Sequence, residues 1–243
     1  MKGNTIKIKD EVWALIPARG SSKSIPLKNL AELNGRPLID YVIKAGKASH
    51  FISRIICSTE NEVIAKFCAK NGVEVQKRPY ELAQDDIPTL DVIVYFLETL
   101  IKEEGAVANI IVLLEPTSPF VLPEHIDKCV ELLRAHPETD SAQTITPISP
   151  NNHAYNQRYL NNNFVKFQFA KERDIYYNKQ LKPKLYVHGN VRVLRSDSLL
   201  KKRDLFGDCS LPYIIPRIYA MDVDGPEDLK LADCFLKCGL VEL

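Results

Sequence analysis

From Val12 to about Pro147 the chain repeats one pattern: a short apolar run, a turn, then a stretch whose apolar residues recur three and four places apart. Val12 to Ile16, Arg54 to Ser58, Val73 to Gln76, Asn109 to Leu114 and Ser141 to Ile145 read as strands. Leu38, Tyr41, Val42 and Ala45 fall at helical spacing, as do stretches from Val92 to about Lys102 and from Pro123 to Ala135. Thr59 and Glu62 have the spacing of a capping box for a helix running to about Asn71, with Gly72 just past its end. Thr89 or Asp91 is placed to cap the helix that follows. Parallel strands need such helical crossovers, so this rhythm predicts an α/β fold with a doubly wound, mostly parallel sheet. Asn109 to Leu114 is the most apolar of the runs and is expected at the sheet centre.

The rhythm stops at residue 148. Residues 148–186 are rich in Asn, Tyr, Lys and Gln, with short alternating pieces such as Asn163 to Phe169. A structureless segment of that length is uncommon inside a compact domain, so an inserted antiparallel arm is expected, serving as a lid or a dimer contact. The division is therefore a core over 1–147, the arm over 148–186 and a return to the core over 187–243. The return includes Asn190 to Leu194, Tyr213 to Ala220 and a last helix to Cys238.

The chain has 243 residues and a net charge of +1, which speaks against a nucleic-acid or membrane-surface partner. Its first residues, Met1 to Glu11, are polar and basic, and a cytoplasmic protein is expected. Six cysteines show no Cys-x-x-Cys spacing, and most are expected to be buried, reduced thiols.

The chemistry begins at Ile16-Pro-Ala-Arg-Gly-Ser-Ser-Lys-Ser-Ile-Pro-Leu-Lys-Asn29. This stretch carries Arg19, Lys23 and Lys28, and no Asp or Glu occurs from Val12 to Ala31. Pro17 and Pro26 keep it from becoming a helix, and Gly20, Ser21, Ser22 and Ser24 let a ligand approach the backbone. A cationic loop at the carboxyl end of a first strand is where an α/β sheet receives a phosphate-bearing ligand. Neither a P-loop nor a Gly-x-Gly-x-x-Gly fingerprint is present, so side chains would do most of the holding. Near the other end, Asp222 and Asp224 stand two residues apart and, in extended chain, would face one hard cation such as Mg2+. Asp224, with Pro226 and Glu227 after it, also reads as a helix N-cap. Cations and a metal pair around one cleft suggest nucleoside triphosphate chemistry.

These pieces occur with Ser58-Thr-Glu60, Arg78-Pro-Tyr-Glu-Leu-Ala83, Glu115-Pro-Thr-Ser-Pro119 and Met221-Asp-Val-Asp224, in that order. The set resembles the acylneuraminate cytidylyltransferases and their relatives that make CMP-Kdo and CMP-activated legionaminic or pseudaminic acid. The resemblance implies a Rossmann-like nucleotidyltransferase that couples CTP to the anomeric hydroxyl of a 2-keto-3-deoxy acidic sugar. It implies that Arg19 and Lys28 hold the triphosphate and act in catalysis, and that Ala18, Ser22, Lys23 and Asn29 line the nucleotide pocket. Arg78 and Ala83 would approach the cytosine, and Thr89 the base or ribose. Glu115, Thr117, Ser118, His188 and Gly189 would face the sugar, Asp222 and Asp224 would bind Mg2+, and the arm would make a homodimer. An enzyme of this fold acting on a sugar phosphate, or a non-catalytic homologue, are the alternatives.

The chain departs from the resembled pattern on the sugar side. Ser24 replaces a usual Gly, Glu115 a usual Gln, and Phe120-Val121 a usual Leu-Arg. His188-Gly189 stands for an Asn-Gly pair. A carboxylate at 115 and a missing Arg suit an acceptor with an amino group or fewer anionic contacts, hence a nonulosonate other than N-acetylneuraminate.

Overall fold

The computed structural model describes residues 7–243. Along the core run β1 (Lys7–Pro17), the short hairpin of β2 (Glu32–Leu33) and β3 (Arg36–Pro37), α1 (Leu38–Ala48), β4 (Ile52–Thr59), α2 (Glu62–Lys70) and β5 (Glu74–Lys77). There follow α3 (Thr89–Glu104), β6 (Ala106–Leu113), α4 (Pro123–Ala135) and β7 (Ser141–Pro147). The arm holds β8 (Arg158–Asn161), β9 (Phe164–Phe167) and α5 (Ala170–Ile175). The chain returns with β10 (Tyr186–Arg195), α6 (Ser196–Lys202), β11 (Ser210–Ile214) and α7 (Pro226–Lys237).

Seven strands make one sheet in the order β11-β7-β10-β6-β1-β4-β5, with β6 at its centre as its composition requires. The sequence of β1 explains the layering. Side chains alternate along a strand, so Val12, Ala14 and Ile16 pack with α1, α2 and α4 on one face. Trp13 and Leu15 pack with α3 and Leu199 of α6 on the other. Both faces being covered, an unbroken apolar run is what this position needs. A third cluster, including Leu33, Phe120, Val223 and Ala232, seats α7 against the small hairpin.

β1, β4, β5 and β6 are parallel to their neighbours among themselves, and β11 is parallel to β7. β10 runs against both β6 and β7. Reading Asn190 to Leu194 as a resumption of the earlier rhythm did not foresee that reversal. It follows from the arm, which brings the chain back at the carboxyl edge without a crossover helix. Its consequence is that the start of β10 shares an edge with the ends of the parallel strands.

Several local readings change. Asn61, not Thr59, caps α2: its Oδ1 accepts from the N–H groups of Val63 (2.9 Å) and Ile64 (3.1 Å). Neither Thr89 nor Asp91 caps α3, which begins at Thr89 after Pro88. Nor does Asp224 cap α7; the Asp228 carboxylate accepts from the Asp224 and Gly225 N–H groups instead. Asp222 to Asp224 belongs to no strand, though the Val223 N–H is bonded to Thr117 O at 2.8 Å. The expectation that most cysteines are buried also fails: Cys57, Cys68 and Cys129 are buried, whereas Cys209, Cys234 and Cys238 are exposed. α6 escaped notice because it is short and buries only Ser196 and Leu199.

One buried side chain ties these parts together. Asn190, 2% exposed, donates from Nδ2 to Phe120 O (3.0 Å) and Tyr219 O (2.9 Å), and its Oδ1 accepts from the Thr144 hydroxyl (3.1 Å). Asn190→Ala would strand buried carbonyls from two loops, each costing about 1–3 kcal/mol. Urea denaturation is expected to show a loss of about 3 kcal/mol; a change below about 0.5 kcal/mol would contradict this role.

Candidate active site

At the carboxyl edge of the parallel strands lies a cavity of about 290 Å³. Arg19 and Lys28 reach it from the loop after β1, Arg78 from the end of β5, and Glu115 and Thr117 from the loop after β6. Ser22, Asn29 and Thr89 complete the expected residues on its wall. Ala18 is fully buried behind it, its N–H bonded to Ser58 O at 3.0 Å. Ala83 is buried too, and its carbonyl accepts from the Ser21 hydroxyl at 3.0 Å. Lys23, Ser118, His188, Gly189, Asp222 and Asp224 are not on the cavity wall.

The basic loop is shaped by three local constraints. The Gly20 N–H donates to Glu60 Oε1 at 2.6 Å, and a Cβ at Gly20 would lie 2.3 Å from the Asn61 amide, so glycine alone fits. Asn29 Nδ2 donates to Arg19 O at 2.8 Å and closes the loop across its base. Leu27 takes a left-handed conformation (φ 48°), which turns the chain into the short turn Lys28–Leu30 and sends Lys28 inward. Glu60 belonged to a recognised motif but had no assigned role. It is the hinge of the site, since its other oxygen accepts from Arg78 Nε and Nη2, both at 3.2 Å. The Arg78 side chain is only 3% exposed; burial pulls its pKa down and the Glu60 carboxylate pushes it back. Asp85 also escaped the sequence reading. It pairs with Arg19 (2.7 Å) and Lys23 (2.6 Å), and those cations lower its pKa.

The acidic side approaches the same loop. Lys28 Nζ lies 3.4 Å from Asp224 Oδ1, and the Ser24 hydroxyl donates to Asp224 O. Asp222 has its pKa raised, first by burial and also by the Asp224 charge, while Thr117 and Lys28 favour its ionised form. Among the described residues no three His, Cys, Asp or Glu side chains cluster as a metal cage. Two carboxylates suit magnesium, which ordinarily takes one or two and completes its octahedron with water and phosphate oxygens. The donor set therefore fits that ion, and a cation there would favour the ionised Asp222 that desolvation and the Asp224 charge disfavour.

Among the residues expected to face the sugar, Glu115 is not a free anion. Arg192, which the sequence reading passed over, donates from Nη1 to Glu115 Oε2 at 2.8 Å. Burial raises the Glu115 pKa and Arg192 opposes the rise. The basis for expecting an amino group on the acceptor is thus removed, because this carboxylate already has its cation. Ser118 is buried, its N–H bonded to Glu115 O at 3.0 Å, so it shapes the loop. Gly189 backs onto Thr144, where a Cβ would meet Oγ1 at 2.4 Å. His188 is neutral near pH 7, its pKa lowered to about 4 by burial and by Arg192.

Comparison with known proteins agrees with this geometry. A family model described as cytidylyltransferase matches residues 13–215. A CMP-N,N'-diacetyllegionaminic acid synthase of Legionella pneumophila is 29% identical over 226 residues, 91% of this chain and 94% of that protein. An N-acylneuraminate cytidylyltransferase of Escherichia coli is 26% identical over 230 residues, 93% of this chain but 52% of its own length, so the chain spans about half of that relative. Among solved structures, a CMP:2-keto-3-deoxy-manno-octonic acid synthetase complexed with CTP shares the fold, with a TM-score of 0.68 at 17% identity, covering 94% of this chain and 99% of the other. With a family model spanning most of its length and a cationic cavity at the expected sheet edge, the chain belongs to the cytidylyltransferase family.

Proposed function

We propose that this protein joins CMP from CTP to the anomeric hydroxyl of a 2-keto-3-deoxy acidic sugar of the sialic-acid-like nonulosonate class and releases pyrophosphate. The observation that carries the reading is the meeting of Lys28 and Asp224, 3.4 Å apart across almost the whole sequence, beside a cavity that also holds Arg19. The names of the full-length and half-length relatives supply the acceptor class.

In this reaction the anomeric oxygen bonds to the α-phosphorus, the bridging oxygen leaves with pyrophosphate, and the hydroxyl proton is released. Arg19 and Lys28 hold the triphosphate and meet charge as it moves onto the leaving group. Asp85 occupies Arg19 until phosphate replaces it. Ala18, Ser22, Lys23 and Asn29 frame the nucleotide, Arg78 and Ala83 the base, and Thr89 the base or ribose. A magnesium ion held by Asp222 and Asp224 would neutralise negative charge on the phosphates. Thr117 positions Asp222 for that duty.

The arm supports a homodimer. β8 and β9 form their own two-stranded sheet, a unit marginal in water by itself. Leu160, Phe164 and Val165 on these strands, and Ile175 and Tyr177 farther along the arm, are 65–75% exposed. A second copy covers this apolar surface in the proposed assembly. Light scattering is expected to give twice the chain mass, and Phe164→Asp to lower it; a wild-type monomer at micromolar concentration would refute the arrangement.

Incubation with CTP, magnesium and a panel of keto-deoxy acids is expected to yield a CMP-sugar and pyrophosphate, and no product with any of them would reject the reading. Lys28→Ala should cut kcat by about 10²–10³, the range for a lost preorganised charge donor. Asp222→Asn should raise the magnesium requirement more than Asp224→Asn, because Thr117 holds the Asp222 carboxylate while Asp224 is already paired with Lys28. Equal, mild effects of these two changes would remove the metal assignment.

A further inference from the structure

The register of β10 against β7 is interrupted in one place. His188 stands opposite Ile145 and Arg192 opposite Gln143, so three residues of β10 face the single Thr144. The Thr144 hydroxyl fills the gap, accepting from the N–H groups of Asn190 (2.7 Å) and Val191 (2.9 Å). Directly opposed residues point to the same side of a sheet, and Ile145 and Gln143 are two apart. His188 and Arg192 therefore share one face. The bulge re-aims side chains beside an active site, a common use of such irregularities.

On that face two buried polar atoms lack partners. Among the described residues, Arg192 Nε and His188 Nδ1 each make no hydrogen bond. Buried donors and acceptors left unmatched are costly, and a bound ligand can match them. Arg192 is not sealed off, since its side chain is 18% exposed and its partner Glu115, at 29%, is on the wall of the cavity. Glu115 answers Arg192, and the His188 imidazole beside them is uncharged near pH 7, so this pair and its neighbour carry no net charge.

We propose that Arg192, clamped by Glu115 and bordered by His188, is a specificity-determining residue that reads a neutral acylamino substituent of the acceptor sugar and disfavours a free ammonium. The assignment rests on the acceptor chemistry given under the proposed function. An amide offers a carbonyl to the Arg192 Nε–H and an N–H to a neutral imidazole nitrogen. An ammonium offers only donors and meets a guanidinium already in place. Glu115 is then a positioning residue: it holds Arg192 and does not itself read the sugar.

The test uses the full-length protein and three nonulosonates that carry acetamido, hydroxyl or free amine at the same carbon. Wild type should favour acetamido over amine in kcat/KM by about tenfold or more. Arg192→Met leaves Glu115 as an unanswered anion and should move that ratio toward the amine by about tenfold. Its effect should fall on the KM for acceptor, with the KM for CTP held within about twofold. Glu115→Gln leaves Arg192 as an unanswered cation and should move the ratio the opposite way. A wild-type preference for the amine, or unchanged ratios in both variants, or shifts in the same direction, would overturn the role. CTP-dependent thermal stabilisation checks that each variant is folded, and if Arg192→Met is not, an unshifted ratio in Glu115→Gln suffices to overturn it. Binding of CTP without turnover of any acceptor would count against the enzyme reading instead. Calorimetric binding of the same three sugars then decides this proposal by the same ratios.

Discussion

Arg19, Lys28 and Arg78 line one small cavity, and three cations so placed repel one another unless each is answered. The answers are graded by burial. Arg78 and Glu60 are 3% and 10% exposed, and removing either partner would leave an uncompensated buried charge, at a cost of about 3–5 kcal/mol. That pair is part of the fold. Arg19 and Asp85 are 38% and 39% exposed, and a pair so open to water contributes little to stability. A triphosphate with several charges would therefore displace Asp85 at little cost while the Glu60 pair stays. The same Glu60 also fixes the Gly20 N–H, so the wall that binds and the wall that supports are joined through one side chain.

The parallel core was legible because it rests on local signals. Apolar runs in β1, β4 and β6, glycines after α2 and α3, and the proline that opens α4 all act within a few residues. What escaped was set by contacts distant in sequence. The reversal of β10 depends on where the arm returns the chain, which no local pattern encodes. The cap of α2 is Asn61 rather than Thr59: Asn61 directly precedes the helix, its Oδ1 accepts from the Val63 and Ile64 N–H groups, and its side chain also borders Gly20.

The candidate site divides the same way. Arg19, Lys28 and the aspartate pair announce themselves by residue type and spacing, and Asn29 enters through the family resemblance. Glu60, Asp85 and Arg192 do not, being ordinary charges whose partners lie 18 to 77 residues away. Arg192 sits in a strand and looks like an outward-facing charge until the bulge at Thr144 and the ion pair to Glu115 are seen. A departure at position 115 that reads as a new charge when taken singly becomes one half of a neutral pair in three dimensions.

The central claim is that this edge of the sheet holds the β- and γ-phosphates of CTP. Calorimetric titration of the wild-type protein with CTP and with CMP, in magnesium at two ionic strengths, tests it most directly. The account requires CTP to bind at least about tenfold more tightly than CMP, with an advantage that shrinks as salt screens the cations. Equal affinity for the two nucleotides, or a CTP preference indifferent to salt, would contradict it.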